Sequence, residues 1–132
     1  MNTSEVMVGY LAAAGICDIF GYPGDPSVEF LEGDVEIAKG LTLFETPGHT
    51  IGHYSLLAEP ENRRPMIFCG DAVYTQETLD RMIIGGFHLD PVESISAIKR
   101  IKQWAKEYDA EIFPSHDMGP WESWKHAPEY YD

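Results

Sequence analysis

Three segments of this chain end in side chains that a metal ion could use. His49 follows Leu41-Thr42-Leu43-Phe44 and a Pro47-Gly48 turn, Asp71 closes the apolar run Met66-Ile67-Phe68-Cys69-Gly70, and His116 closes Glu111-Ile112-Phe113-Pro114-Ser115. A strand that runs into a turn delivers its last side chain to the mouth of a sheet. Two neutral imidazoles and a carboxylate are the donors that zinc and similar divalent ions prefer. The pattern therefore predicts that His49, Asp71 and His116 share one metal site. Each also has a plainer role: His49 as a turn histidine bonding a strand end, Asp71 as a helix N-cap, and His116 as a residue whose case rests on its order after the other two.

The remaining candidates are weaker. His53 lies four residues after His49, which imitates a helical zinc-binding spacing, but the glutamate of that motif is missing and Pro47, Gly48 and Gly52 oppose a helix. It reads as a structural residue or one that supports a ligand from behind. His88 and His126 read as surface or loop histidines. Tyr74, three residues after Asp71, is by itself a packing or surface phenol. No two of the five histidines, His49, His53, His88, His116 and His126, stand two residues apart.

The elements that must position these residues are legible by pattern. A helix is expected over Ser4 to about Ala14, capped by Ser4 and ended by Gly15, then a loop at Gly21–Pro26. Val28–Leu31 and Val35–Ile37 flank Glu32-Gly33-Asp34 as a hairpin. Strands follow at Leu41–Glu45, His53–Ala58 and Met66–Gly70. Asp90-Pro91 opens a long helix, with Asp90 as cap and Pro91 in the first turn. Its residues Ile95, Ile98, Ile101, Trp104 and Ala105 keep helical spacing, so one face packs on a sheet. A strand at Glu111–Phe113 and an aromatic tail with Trp121, Trp124, Tyr130 and Tyr131 complete an α/β (α+β) pattern.

Composition narrows the function. At 132 residues, 44% of them hydrophobic, the chain has one globular domain's worth of material. A net charge of −13 argues against nucleic acid and against an anionic membrane as partners, because both reward clustered Lys and Arg. A neutral ligand would not be repelled. Cys17 and Cys69 are too few for a disulfide scaffold, and Cys69 sits in an apolar run where a buried thiol is the ordinary state. The apolar run Val6–Phe20 lacks a basic start and is too short to span a bilayer. A cytoplasmic protein is expected.

Taken in order, Leu31-Glu32-Gly33-Asp34, Thr46-Pro47-Gly48-His49-Thr50-Ile51-Gly52-His53, Gly70-Asp71-Ala72-Val73-Tyr74-Thr75, Gly86-Phe87-His88-Leu89-Asp90-Pro91, Ile98-Lys99-Arg100-Ile101-Lys102 and Ser115-His116-Asp117 resemble the metallo-β-lactamase superfamily. The likeness is greatest to the N-acyl-homoserine lactonases (quorum-quenching enzymes) and runs from about Leu31 to Asp132. The superfamily's His-x-His-x-Asp-His signature is absent. The resemblance is thus to a C-terminal half: residues 1–132 are expected to be the C-terminal part of such a hydrolase, beginning inside the parent sequence and folding as a half or partial αββα sandwich.

The resemblance implies a two-zinc hydrolase of lactone or ester bonds. His49 would serve one ion, His116 the other, and Asp71 both, while Tyr74 would hydrogen-bond the substrate near the scissile ester. With three of the family's ligands present, zinc is expected to be partial or absent, and the isolated chain inactive or weakly active. One sheet face is expected to lie open, favouring self-association or pairing with a missing N-terminal half. A (thio)esterase of the glyoxalase II type and a non-catalytic remnant or binding module of the same fold are the alternatives.

Overall fold

The computed structural model describes residues 33–126 and Glu129. The expected helix at Ser4–Ala14, the loop at 21–26, the strand at Val28–Leu31, Tyr130 and Tyr131 lie outside these residues. Among the described residues, one sheet of five strands holds β1 (Val35–Ala38), β2 (Leu41–Glu45), β3 (Tyr54–Ala58), β4 (Met66–Phe68) and β5 (Glu111–Phe113), in that spatial order. β1 to β4 are antiparallel neighbours joined by turns, while β5 runs parallel to β4, with Met66 opposite Glu111 and Phe68 opposite Phe113. A parallel pair needs a crossover. That crossover is a short 3-10 turn (Gly70–Ala72), the helix α1 (Gln76–Arg81) and the long helix α2 (Pro91–Glu107). A last short helix, α3, covers Met118–Trp121.

Period-two alternation decides the two faces of the sheet. Phe44, Leu57 and Ile67 point to one side and meet Ile98 and Ile101 of α2 in a single buried cluster. Ile98 and Ile101 are fully buried, and each contributes about 2 kcal/mol relative to remaining in water. Trp104 stacks on Phe44 with ring centroids 4.0 Å apart. α2 starts where the sequence places it: the Asp90 carboxylate accepts from the amides of Val92 and Glu93 at 2.9 and 3.0 Å, and Pro91 fills the first turn.

The opposite face was expected to lie bare. Here Leu43, Ala58, Met66 and Phe113 are all buried, and of its larger side chains Phe68 stands out at 39% exposed. Part of the cover is Trp124, whose ring lies 4.6 Å from that of Phe113. No described helix is long and apolar enough to cross a membrane.

Candidate metal centre

The C-terminal ends of β2, β4 and β5 feed three loops that meet. His49 sits in the β2–β3 loop, Asp71 in the middle of the 3-10 turn after β4, and His116 three residues past β5. Parallel pairing of β4 and β5 continues beyond the strands. The Ser115 and His116 amides donate to the carbonyls of Val73 and Tyr74 at 3.1 and 2.8 Å, which brings His116 level with Asp71. The His49 loop is tied to the start of α2, where the Asp90 amide donates to the Gly48 carbonyl at 2.9 Å and the Leu89 amide to the His49 carbonyl at 3.2 Å. Gly48 is required there: its φ is +129°, and a Cβ would lie 2.3 Å from the Ser94 nitrogen.

These ties bring the three expected side chains together. Asp71 Oδ2 is 3.3 Å from His49 Nε2, and Asp71 Oδ1 is 3.0 Å from His116 Nε2. One carboxylate thus faces two imidazoles through its two separate oxygens. The result is two donor pairs side by side. Among the described residues no group of three His, Cys, Asp or Glu side chains converges as a metal-holding set. By chemistry the pairs suit zinc, which takes imidazole nitrogen and carboxylate oxygen. By number they supply half of an ordinary four-donor shell for each of two ions.

Tyr74 joins the same cluster. Its hydroxyl lies 3.3 Å from His49 Nδ1, the ring nitrogen facing away from Asp71. Burial first, and the Asp71 charge second, push its phenol above the usual range, so it stays a neutral donor. His53 lies behind Asp71, accepting the Asp71 amide on Nε2 at 3.0 Å, with Nδ1 2.8 Å from Thr46 Oγ1. Burial, reinforced by the nearby His49, lowers its pKa to about 4 and keeps it neutral.

His88, expected as a surface or loop histidine, does lie in a loop, but half-buried and edge-on to His49 and Tyr74, with centroids 5.0 and 5.7 Å away. Its Nδ1 bonds Ser94 Oγ at 2.8 Å, and its Nε2 is buried without a partner. Burial lowers its pKa, again aided by His49. His126 is exposed, its Nε2 2.9 Å from the Trp121 carbonyl, as a loop histidine should be. Cys69 is fully buried, and its thiol is pushed up to about 12 by that burial. Ile51, Phe87 and Leu89, on the loops carrying His49 and His88, are 82%, 85% and 70% exposed.

Known proteins resemble this chain in sequence and in fold. Over 103 residues the chain is 39% identical to the N-acyl homoserine lactonase AiiA of Bacillus thuringiensis subsp. kurstaki, which covers 77% of this chain and 40% of that protein. Over 91 residues it is 34% identical to the N-acyl homoserine lactonase AttM of Rhizobium radiobacter, covering 69% of this chain and 35% of that protein. An N-acyl homoserine lactone hydrolase solved with the product N-hexanoyl-L-homoserine at its catalytic metal centre matches with a TM-score of 0.72 at 36% identity, over 78% of this chain and 41% of that one. The chain spans about two fifths of the length of these relatives. No protein-family model matches it. In sequence and in fold the chain is homologous to the C-terminal part of the N-acyl homoserine lactonases, hydrolases of the metallo-β-lactamase fold.

Proposed function

We propose that this chain is the C-terminal part of a zinc-dependent hydrolase that opens N-acyl-homoserine lactones, its metal shells completed by a complementary segment in the same polypeptide or in another. One observation carries the reading: Asp71 offers a separate oxygen to each of His49 and His116, at 3.3 and 3.0 Å. That is the arrangement by which one carboxylate can be shared between two cations. Bound beside it, divalent ions would polarise the lactone carbonyl and acidify water.

The chain's own residues do the rest. For His49 to present a bare Nε2, its proton must reside on Nδ1, where Tyr74 Oη stands 3.3 Å away and can accept it. The Tyr74 O–H is then free to donate to the oxyanion that develops on the attacked carbonyl. Exposed Ile51, Phe87 and Leu89 offer apolar surface to an acyl chain. A protein with net charge −13 also favours a neutral substrate over an anionic one. A non-catalytic module remains the second reading, supported by the absence of any converging three-donor set among the described residues.

Zinc titration of the chain, followed by NMR of the imidazole resonances, tests the metal reading directly. His49 and His116 should shift while His126 does not; unshifted His49 and His116 at millimolar zinc would remove the metal site. Joined to the part of AiiA that this chain does not match, it should open N-hexanoyl-homoserine lactone in a pH-stat assay. The chain alone should do so barely or not at all.

A further inference from the structure

The motif that carries His49 ends in a second histidine, and the structure gives it a task. His53 closes a run of hydrogen bonds that starts and finishes on either side of Gly70. The Asp71 amide donates to His53 Nε2 at 3.0 Å, and His53 Nδ1 lies 2.8 Å from Thr46 Oγ1. Thr46 Oγ1 is 2.9 Å from Ser55 Oγ, which donates to the Cys69 carbonyl at 3.2 Å. Thr46 and Ser55 are fully buried, so water does not compete for these groups.

Both ends of this run are backbone, and that fixes the direction of every bond. A backbone N–H can only donate and a carbonyl can only accept. Nε2 must therefore be bare and Nδ1 protonated. Nδ1–H donates to Thr46 Oγ1, the Thr46 hydroxyl to Ser55 Oγ, and the Ser55 hydroxyl to Cys69. The backbone agrees: the Thr46 amide donates to the His53 carbonyl at 2.9 Å, which pins both ends of the His49 loop together. Gly70 adopts φ +51°, and a Cβ on it would stand 2.9 Å from His53 Nε2, so nothing larger fits between the ring and the turn.

We propose that His53, through this one-way relay from the Asp71 amide to the Cys69 carbonyl, is the positioning residue that clamps the Gly70-Asp71 turn and aims the Asp71 carboxylate between His49 and His116. The relay couples the two loops: His53 is bonded to the strand that launches His49 and to the turn that bears Asp71. Its benefit for zinc rests on the metal reading above, but the clamp itself does not.

Two variants of the full chain separate positioning from simple stability. His53→Gln keeps an amide oxygen where Nε2 stood and can still accept from Asp71. His53→Asn keeps a polar group only at the Nδ1 position and can reach Thr46 alone. In metal-free protein, hydrogen exchange at the Asp71 amide should stay slow in wild type and in His53→Gln, and become fast in His53→Asn. Zinc affinity at His49 and His116 should stay within about 3-fold in His53→Gln and fall on the order of 10- to 100-fold in His53→Asn. Equal protection of Asp71 in both variants, or zinc losses that merely follow each variant's lost stability, would overturn the proposal. Should His53→Asn fail to fold, the wild-type ring decides: nitrogen NMR must show Nδ1 protonated and Nε2 bare, and the opposite tautomer refutes the relay. Failure of wild type to bind zinc would strike the metal reading, while the Asp71 exchange rates still judge the clamp.

Discussion

Replacing Gly48 with alanine should remove much of this protein's stability, because the site has no room for a side chain. The added Cβ would stand 2.3 Å from the Ser94 nitrogen, 2.5 Å from Ser94 Oγ and 2.6 Å from Ser94 Cα. Ordinary contacts begin near 3.4 Å, so the first turn of α2 must retreat by about 1 Å. Two of the three atoms belong to backbone, which cannot swing aside as a flexible side chain would. Retreat stretches the Asp90-to-Gly48 hydrogen bond, now 2.9 Å, at about 1 kcal/mol. Overpacking adds about 1–3 kcal/mol, and holding alanine at a positive φ adds about 1–3 kcal/mol more. A total of about 3–7 kcal/mol is a large part of a typical 5–15 kcal/mol stability. For a chain of this length it should lower Tm by roughly 15 °C. Gly86→Ala is the control, since nothing lies within 4 Å of its would-be Cβ; it should stay within about 0.5 kcal/mol of wild type. Urea melts read by circular dichroism measure both. A Gly48→Ala loss below about 1 kcal/mol would mean that α2 does not bear on the His49 loop as described.

Further outcomes follow from the same contacts. In the chimera that joins this chain to the unmatched part of AiiA, Asp71→Asn should remove nearly all the lactone hydrolysis proposed above, because a neutral amide is a poor shared ligand for two cations. Tyr74→Phe should cost about 1–3 kcal/mol of transition-state stabilisation, roughly 5- to 150-fold in kcat/KM, for one lost donor; both are read in the ring-opening assay. Cys69, fully buried with its pKa pushed up to about 12, should resist iodoacetamide at pH 8 in folded protein and react once urea unfolds it. Mass spectrometry of the Cys69 peptide checks this, and labelling under native conditions would contradict the burial.

Much of this arrangement could be read from residue types because the signals were local. Thr46-Pro47-Gly48-His49 names a turn, and Asp90-Pro91 names a helix start whose cap is seen as expected. The meeting of His49, Asp71 and His116 was legible for a simpler reason: each follows a strand of the same sheet, so each emerges at one edge. What stayed hidden depended on contacts between distant segments. α1, with the sequence Gln76 to Arg81, has no apolar periodicity; it exists through a Thr75 cap and one buried leucine, Leu79. His88 does sit in a loop, and only the pairing of Leu89 and Asp90 with residues 48–49 sets its ring beside His49. Thr46 and Ser55 look like ordinary strand residues, and only the register that places Ser55 opposite Phe44 sets Thr46 Oγ1 within reach of both Ser55 and His53. The sequence does hold one clue to that link: Thr46 and His53 bracket a single motif.

The energetics of the His–Asp pairs predict how tightly the chain by itself should hold zinc. An ion entering the His116 pair must first break a hydrogen bond of 3.0 Å to Asp71, and one entering the His49 pair must part a nitrogen and an oxygen 3.3 Å apart. The Asp71 side chain is 42% exposed and that of His116 57%, so their contact is worth only about 0–1 kcal/mol, while the more buried His49, 18% exposed, has no hydrogen bond to Asp71 to lose. Disrupting them costs little, and the donors already stand at the edge of one cluster. Donor number is therefore the limit. Complete four-donor zinc sites in small proteins bind with about 10–16 kcal/mol. Two donors of four should supply on the order of half, about 5–8 kcal/mol, which corresponds to dissociation constants of about 1–200 μM. Titration calorimetry with zinc, in a buffer that does not itself chelate, should find affinity in that range, lost in Asp71→Ala, which empties both pairs at once. His49→Ala should abolish one binding event and leave the other. Nanomolar affinity that survives Asp71→Ala would refute the two-pair description and point to donors outside His49, Asp71 and His116.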